Sequence, residues 1–364
     1  MAEGADSPLL VAARRAHLLK VLERDGAVRI SEVSAELGVA PVTLRRDIVV
    51  LEREGRLHRV YGGAVALPAA EVRDPVLGDG AFGVLVPSLD YYWPGVVRGI
   101  EDEARSHGLR IVLRGSSYEA TDERPVLERL VETENLLGLI VAPSPIGPRS
   151  QAVAQWLGAS RIPHVLVERD ASQSLHGEAL ESVVSDHALG ALLAVKHLVD
   201  LGHRRVGLVL LQSPTSRRIA AGWRAACAEL KLAPDERFER VIPDRLSHTY
   251  PSAIKNVGEI VHAALANGIT ALLVHADPEA VALVQHAQAA GVSIPGDLSI
   301  IAYDDEIAGL FSPALTAVHP PRDDVGRAAV DLLVKRITHP NRAIHRTVVS
   351  PRLVIRQSTG PVAK

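Results

Sequence analysis

The sequence predicts an α/β chain in two parts: an N-terminal winged helix-turn-helix, then a two-lobed domain built on doubly wound parallel sheets. Two observations carry this. Residues 9–67 read as three helices and a hairpin, and from about Phe82 onward short Val/Ile/Leu runs alternate with amphipathic helices. A third observation, the stretch Ala66 to Gly80 with Pro, Gly and charge but no period, separates the two patterns. At 364 residues the chain is too long for one ordinary core, since a domain takes about 150 residues.

In the first part, a helix runs from about Leu10 to Arg24 and stops at the turn pair Asp25-Gly26. A short alternation, Ala27 to Ile30, leads to Ser31, the expected N-cap of a helix that carries Val33 and Leu37 and ends at Gly38. Pro41 suits the first turn of a third helix, where a missing N–H costs nothing. Leu44, Ile48 and Leu51 fall at i, i+4 and i+7 and form one buried stripe. Glu54-Gly55 closes that helix, Leu57 to Val60 makes a strand, Gly62-Gly63 turns it, and Ala64 to Leu67 returns.

The buried stripe leaves Val42, Arg45, Arg46 and Val49 pointing elsewhere. A surface Arg pair is ordinarily a solvated face, but these two lie in the first turns of the helix that enters a major groove. There an Arg can donate two hydrogen bonds to guanine O6 and N7, or neutralise phosphate. Val42 and Val49 can touch thymine methyls or pack on the preceding helix. Arg56, His58 and Arg59 on the wing reach flanking backbone. Net charge is only -3, and residues 1–65 hold ten Lys/Arg against nine Asp/Glu, so the case for duplex DNA rests on where the charges sit.

The second part has ten expected strands: "FGVLVP", "LRIVL", "LLGLIVAPS", "HVLVE", "SVVSD", "RVGLVLL", "RVIP", "ITALLVHAD", "LSIIAYDD" and "TAVHP". Continuous apolar strands bounded by helices indicate parallel sheets covered on both faces, and ten exceed one compact sheet. Chemistry gathers at strand ends. Tyr91, Tyr92 and Trp93 follow the first strand in a chain with only 3% aromatics and suit a crevice where rings stack on a ligand. Asp304 and Asp305 follow "LSIIAY" and can accept hydroxyl hydrogen bonds, with helix N-capping as the competing account. Arg217 and Arg218 follow "RVGLVLL" and can equally be surface.

Several function classes lose support. One cysteine, Cys227, allows no disulfide within the chain and reads as a buried free thiol. The spacing Gly78-Asp79-Gly80-Ala81-Phe82-Gly83 imitates a dinucleotide loop, but a strand follows where that motif needs a helix. Fifteen histidines include no H-E-x-x-H, and no G-x-S-x-G occurs, so neither metal, cofactor nor catalysis is expected. Absence of an apolar leader and of a long uncharged run leads to the expectation of a soluble, cytoplasmic protein.

Beyond these readings, "SEVSAELGVAPVTLRRDIVVLEREGRLHRVYGGA" resembles the DeoR-type helix-turn-helix. Thr43, Leu44, Arg45, Arg46 and Asp47 match its recognition run, and Arg59, Val60, Gly62, Gly63 and Ala64 its wing. Ala40 stands where that family usually has Ser, a lost cap of about 1 kcal/mol. The region from Phe82 to about Gln357 resembles the effector-binding part of the LacI/GalR repressors, itself similar to periplasmic sugar-binding proteins. "VPSLDYYWPGVVRGIE", "VVSDHALGALLAVKHLVDLGHRRVGLV", "SRRIAAGWRAAC", "GVSIPGDLSIIAYDDE" and "SPALTAVHPPRDDVGRAAVDLL" carry that likeness.

The resemblance implies a head over 9–67, a linker over 68–80 and a sensor over 81–358. Lobe 1 is expected near 81–184 and 317–346, and lobe 2 near 185–316 and 347–358, with crossovers near Ser185, Thr316 and the C-terminus. It implies a small sugar-like effector between the lobes, held by Tyr91, Tyr92, Trp93, Arg218, Asp277 and Asp304. Ile219 and Ala276 replace an Arg and an Asn that usually contact the ligand. It further implies a homodimeric, DNA-binding transcriptional repressor of sugar genes. A linker with Pro68 and Pro75 does not resemble the LacI hinge helix. A sugar-metabolising enzyme with an accessory head stays open as the alternative.

Overall fold

The computed structural model describes residues 11–53, 56–60, 62–65, 77, 79–116, 122–143, 148–169, 180–233, 236–242 and 250–362. It divides into two compact units, residues 1–76 and 77–364. Most of the expected linker and the Glu54-Gly55 stop lie outside the described residues.

The first unit holds α1 (Val11–Asp25), β1 (Ala27–Arg29), α2 (Ile30–Leu37), α3 (Pro41–Arg53), β2 (His58–Val60) and β3 (Gly63–Val65). The strands form an antiparallel sheet in the order β1-β3-β2. Leu18, Leu22, Val33, Leu44, Ile48, Leu51 and Leu57 make its core. Ser31 is not the N-cap: α2 already starts at Ile30, because β1 runs straight into it and the Ile30 N–H is taken by the Gly62 carbonyl at 3.0 Å. Gly38 does end α2, with φ 63 in the left-handed region. Gly63 is required by close approach, since a Cβ there would meet the Val28 carbonyl oxygen of the paired strand.

The second unit contains two six-stranded sheets. Lobe 1 is built from β4 (Ala81–Val86), β5 (Arg110–Gly115), β6 (Leu136–Val141), β7 (His164–Val167), β8 (Ser182–Ser185) and β14 (Arg346–Val349), in the order β14-β8-β7-β6-β4-β5. Lobe 2 takes β9 (Val206–Leu211), β10 (Arg237–Ile242), β11 (Ala271–His275), β12 (Ser299–Tyr303), β13 (Thr316–His319) and β15 (Arg352–Val354), in the order β10-β9-β11-β12-β13-β15. All pairings are parallel except β13 with β15. Both faces of each sheet are apolar. In lobe 1, Phe82, Val84 and Val86 face one core and Leu85, Leu139 and Val141 the other.

Three crossings join the lobes. The first follows β8 into α7 (His187–Asp200). The second falls a few residues later than expected, because Thr316–His319 is still a lobe 2 strand; Pro320-Pro321, which lack N–H donors, end it before α11 (Arg322–Thr338) returns to lobe 1. The third lies between β14 and β15, so residues 347–349 belong to lobe 1. These last two strands are absent from the sequence reading: they are short, partly exposed and carry no long apolar run.

Candidate nucleic-acid interface and effector cleft

Helix α3 has two faces set by its period. Leu44, Ile48 and Leu51 are buried, and Asp47, 3% exposed, joins them. Val42, Arg45, Arg46 and Val49 stand at i, i+3, i+4 and i+7 and share the opposite face. Val42 is 53% exposed, both arginines are exposed, and Val49 is half-buried. Among the described residues neither Arg45 nor Arg46 has an ion-pair partner, whereas Asp47 receives Arg14 Nε at 2.6 Å and Arg15 Nε at 3.0 Å. Thr43 is half-buried, and its N–H donates to the Ala40 carbonyl at 2.9 Å. Arg56, His58 and Arg59 are all exposed. The Arg59 N–H donates to Glu52 Oε1 at 3.2 Å, and its Nε lies 3.5 Å from Glu52 Oε2, which fastens the wing to α3.

In the second unit, the C-terminal ends of strands from both lobes bring polar groups together. Tyr91, at φ 58, projects from the loop after β4. Its hydroxyl accepts the Asp277 N–H at 3.3 Å, so a lobe 1 residue reaches a lobe 2 strand end. Tyr92 donates to Glu168 Oε1 at 2.7 Å. Glu168 follows β7 and also receives the Ser185 hydroxyl at 2.6 Å, with His187 Nε2 3.5 Å away. Burial alone would raise the Glu168 carboxyl, but His187, Ser185 and Tyr92 hold it down at about 2. His187 Nδ1 in turn lies 3.0 Å from the Tyr303 hydroxyl, completing a buried chain across the first crossing.

Asp304 is 4% exposed and has φ 100. Burial pushes its carboxyl up to about 6, with the charges of His187 and Arg322 and the Tyr91 hydroxyl acting the other way. Arg322, at the second crossing, donates to the Asp304 carbonyl, pairs with Glu306 Oε1 at 3.1 Å and lies 5.7 Å from the Tyr92 ring centroid. His275, at the end of β11, has Nε2 3.8 Å from Asp304 Oδ2.

Two residues of the expected effector set, Asp277 and Trp93, and the strand-end Asp305 are held by other partners. Asp277 is fully buried, and its carboxylate accepts the N–H groups of Asp305, Glu306, Ile307 and Ala308 at 2.6 to 3.2 Å. It therefore caps the turn after β12 and has little capacity left for an effector. Trp93 is buried in the lobe 1 core at the start of α4 (Trp93–Ser106), with the Arg169 guanidinium 5.5 Å from its ring. Asp305 is held by His319 at 3.1 Å and Arg356 at 2.7 Å, which lower its pKa against its burial. Arg218 lies half-buried near the start of α8 (Pro214–Glu229), and Ile219 packs into the lobe 2 core. Glu168, Ser185, His187, His275 and Arg322 were missed; their only sequence signal is a place at a strand end or crossing.

Comparison with known proteins accounts for this pairing of parts. Residues 14–69 match the DeoR-like helix-turn-helix domain, and residues 195–359 match the periplasmic binding protein-like domain. The chain joins a DeoR-like helix-turn-helix domain to a periplasmic binding protein-like domain. The chain is 27% identical over 281 residues to the transcriptional repressor PurR of Photobacterium profundum, covering 76% of this chain and 80% of that one. It is 24% identical over 334 residues to the arabinose metabolism transcriptional repressor of Geobacillus stearothermophilus, covering 90% of each. A ribose-bound LacI family transcriptional regulator of Enterococcus faecalis superposes with a TM-score of 0.62 at 25% identity, over 78% of this chain and 100% of that one. The fold of residues 77–364 is thus that of LacI-family regulators. Among the described residues no helix is long and apolar enough to cross a membrane.

Proposed function

We propose that the chain is a sugar-responsive, DNA-binding transcriptional repressor. The head reads operator DNA through Arg45 and Arg46, with Val42, Thr43 and Val49 beside them and Arg56, His58 and Arg59 on flanking phosphate. The sensor takes a small polyhydroxyl effector between its lobes, against Tyr91, Tyr92, Arg218 and Asp304. One observation carries the reading: an exposed Arg pair on the third helix of a winged head, without an ion-pair partner among the described residues, shares a chain with an interlobe cluster of buried acceptors.

Linkage supplies the mechanism. The effector favours one lobe arrangement and the operator the other, so a coupling of about 1 to 3 kcal/mol changes operator affinity about 5- to 150-fold. A homodimer lengthens the readout to two half-sites and fits a two-fold related operator. The cleft residues hold and orient, and turnover is no part of this reading. The test selects duplexes from a random pool on the full chain, then measures their release by a panel of sugars. Failure to enrich any sequence would end the proposal; steady conversion of a sugar to product would favour an enzyme.

A further inference from the structure

His275 gives the cleft a chemical preference, an inference that rests on the effector-cleft reading above. Its Nδ1 lies 3.1 Å from Ser216 Oγ. The Ser216 hydroxyl has one proton, and that proton goes to the Leu211 carbonyl. Ser216 therefore accepts from His275, which places the imidazole proton on Nδ1. Burial, with the neighbouring His187 adding to it, pushes His275 down to about 4, so the ring is neutral at pH 7. Nε2 is then a lone-pair acceptor.

That lone pair faces a second acceptor. Asp304 Oδ2 is 3.8 Å away, beyond hydrogen-bond reach. His275 and Asp304 are both buried, and Tyr303 packs edge-on against the imidazole with ring centroids 5.7 Å apart, which fixes the ring plane. The two strand ends thus offer two desolvated acceptors side by side.

We propose that His275 is a specificity-determining residue: with Asp304 it forms a two-acceptor seat for adjacent effector hydroxyls, and so selects a free vicinal diol over a phosphate ester. One hydroxyl donates to Nε2 and its neighbour to Oδ2. A phosphate oxygen at the same place would bring lone pairs against lone pairs and negative charge against a carboxylate.

The test uses the full chain and a panel of free pentoses and hexoses, their alditols, single-position deoxy analogues and phosphate monoesters, first by thermal shift and then by calorimetry. At least one free polyol is expected to bind, and its monoesters blocked at the seated hydroxyls are not. His275→Phe should weaken that polyol about tenfold, as loss of one buried hydrogen-bond partner does. The deoxy analogue lacking the hydroxyl opposite Nε2 should bind the wild type about tenfold more weakly and lose nothing further in the variant. Independently of any variant, nitrogen NMR of the wild type should show His275 protonated on Nδ1 and bare on Nε2. The opposite tautomer, binding of no free polyol, equal loss across all analogues, or tighter binding of a phosphate ester would each overturn the proposal. A wild type that binds selected DNA and is released by a sugar phosphate would keep the regulator reading while ending this one.

Discussion

Arg14 and Asp47 form a buried ion pair, Nε to Oδ2 at 2.6 Å, that joins the first helix of the head to the third. Asp47 directly follows Arg46, yet a step of about 100° per residue turns it inward as the arginine turns out. Consecutive charges thus divide between holding α3 and presenting it. Asp47→Ala removes the carboxylate between Arg14 and Arg15. A cost of about 3 kcal/mol is expected for breaking such a pair from one side. The head should melt at a lower temperature than the sensor, seen by calorimetry of the full chain; superimposable scans would refute the role.

Arg45→Ala and Arg46→Ala are expected to do the reverse. Both side chains are exposed, so stability should change by no more than about 0.5 kcal/mol. Each should cost specific binding about 1 to 3 kcal/mol if it contacts a base, whereas loss of a phosphate contact would weaken all sequences alike and lower the salt slope by about 1. Gel shifts on selected and scrambled duplexes at several salt concentrations separate these outcomes. Unchanged affinity in both variants would remove α3 as the reading helix.

The two faces of α3 were legible because a helix repeats every few residues and Leu44, Ile48 and Leu51 mark the inside. Asp47's task was not, since its partners sit on a different helix. In the sensor, Asp304 and the Tyr91 region announced themselves as polar groups after apolar strands. Asp277 looked the same in sequence, yet four backbone N–H groups claim its carboxylate. Glu168, His187, His275 and Arg322 each sit at the end of a different element, and only the strand order gathers them. Sequence period reports which way a residue points; it carries no record of which distant strand end lies opposite.

Asp304 should leave a signature in the pH dependence of stability. Its carboxyl is raised from the ordinary 3.8 to about 6, so the folded chain keeps this proton where the unfolded chain has lost it. The stabilisation is complete below about pH 4 and is lost as pH rises through about 6, a swing on the order of 3 kcal/mol for a shift of about two units. Asp304→Asn, which cannot titrate, should gain melting temperature relative to the wild type between pH 4 and pH 7. Parallel curves for the two proteins would show that burial does not raise this group.

Tyr91 tests how the lobes are held. Its hydroxyl makes the polar contact of the bridge, accepting the Asp277 N–H, and its φ of 58 lies in a region that a residue with a Cβ seldom adopts. Tyr91→Phe keeps the ring but leaves the Asp277 N–H without that acceptor, a cost of about 1 to 3 kcal/mol if the group stays buried. Water can satisfy it only if the lobes part at this point. Amide exchange at Asp277 is therefore expected to accelerate about 5- to 150-fold, the rate equivalent of that cost, while exchange in the lobe 1 core strands stays unchanged. Acceleration throughout lobe 1 would instead mean that the phenol supports the lobe's own fold, and no change at Asp277 would mean that the bridge holds nothing.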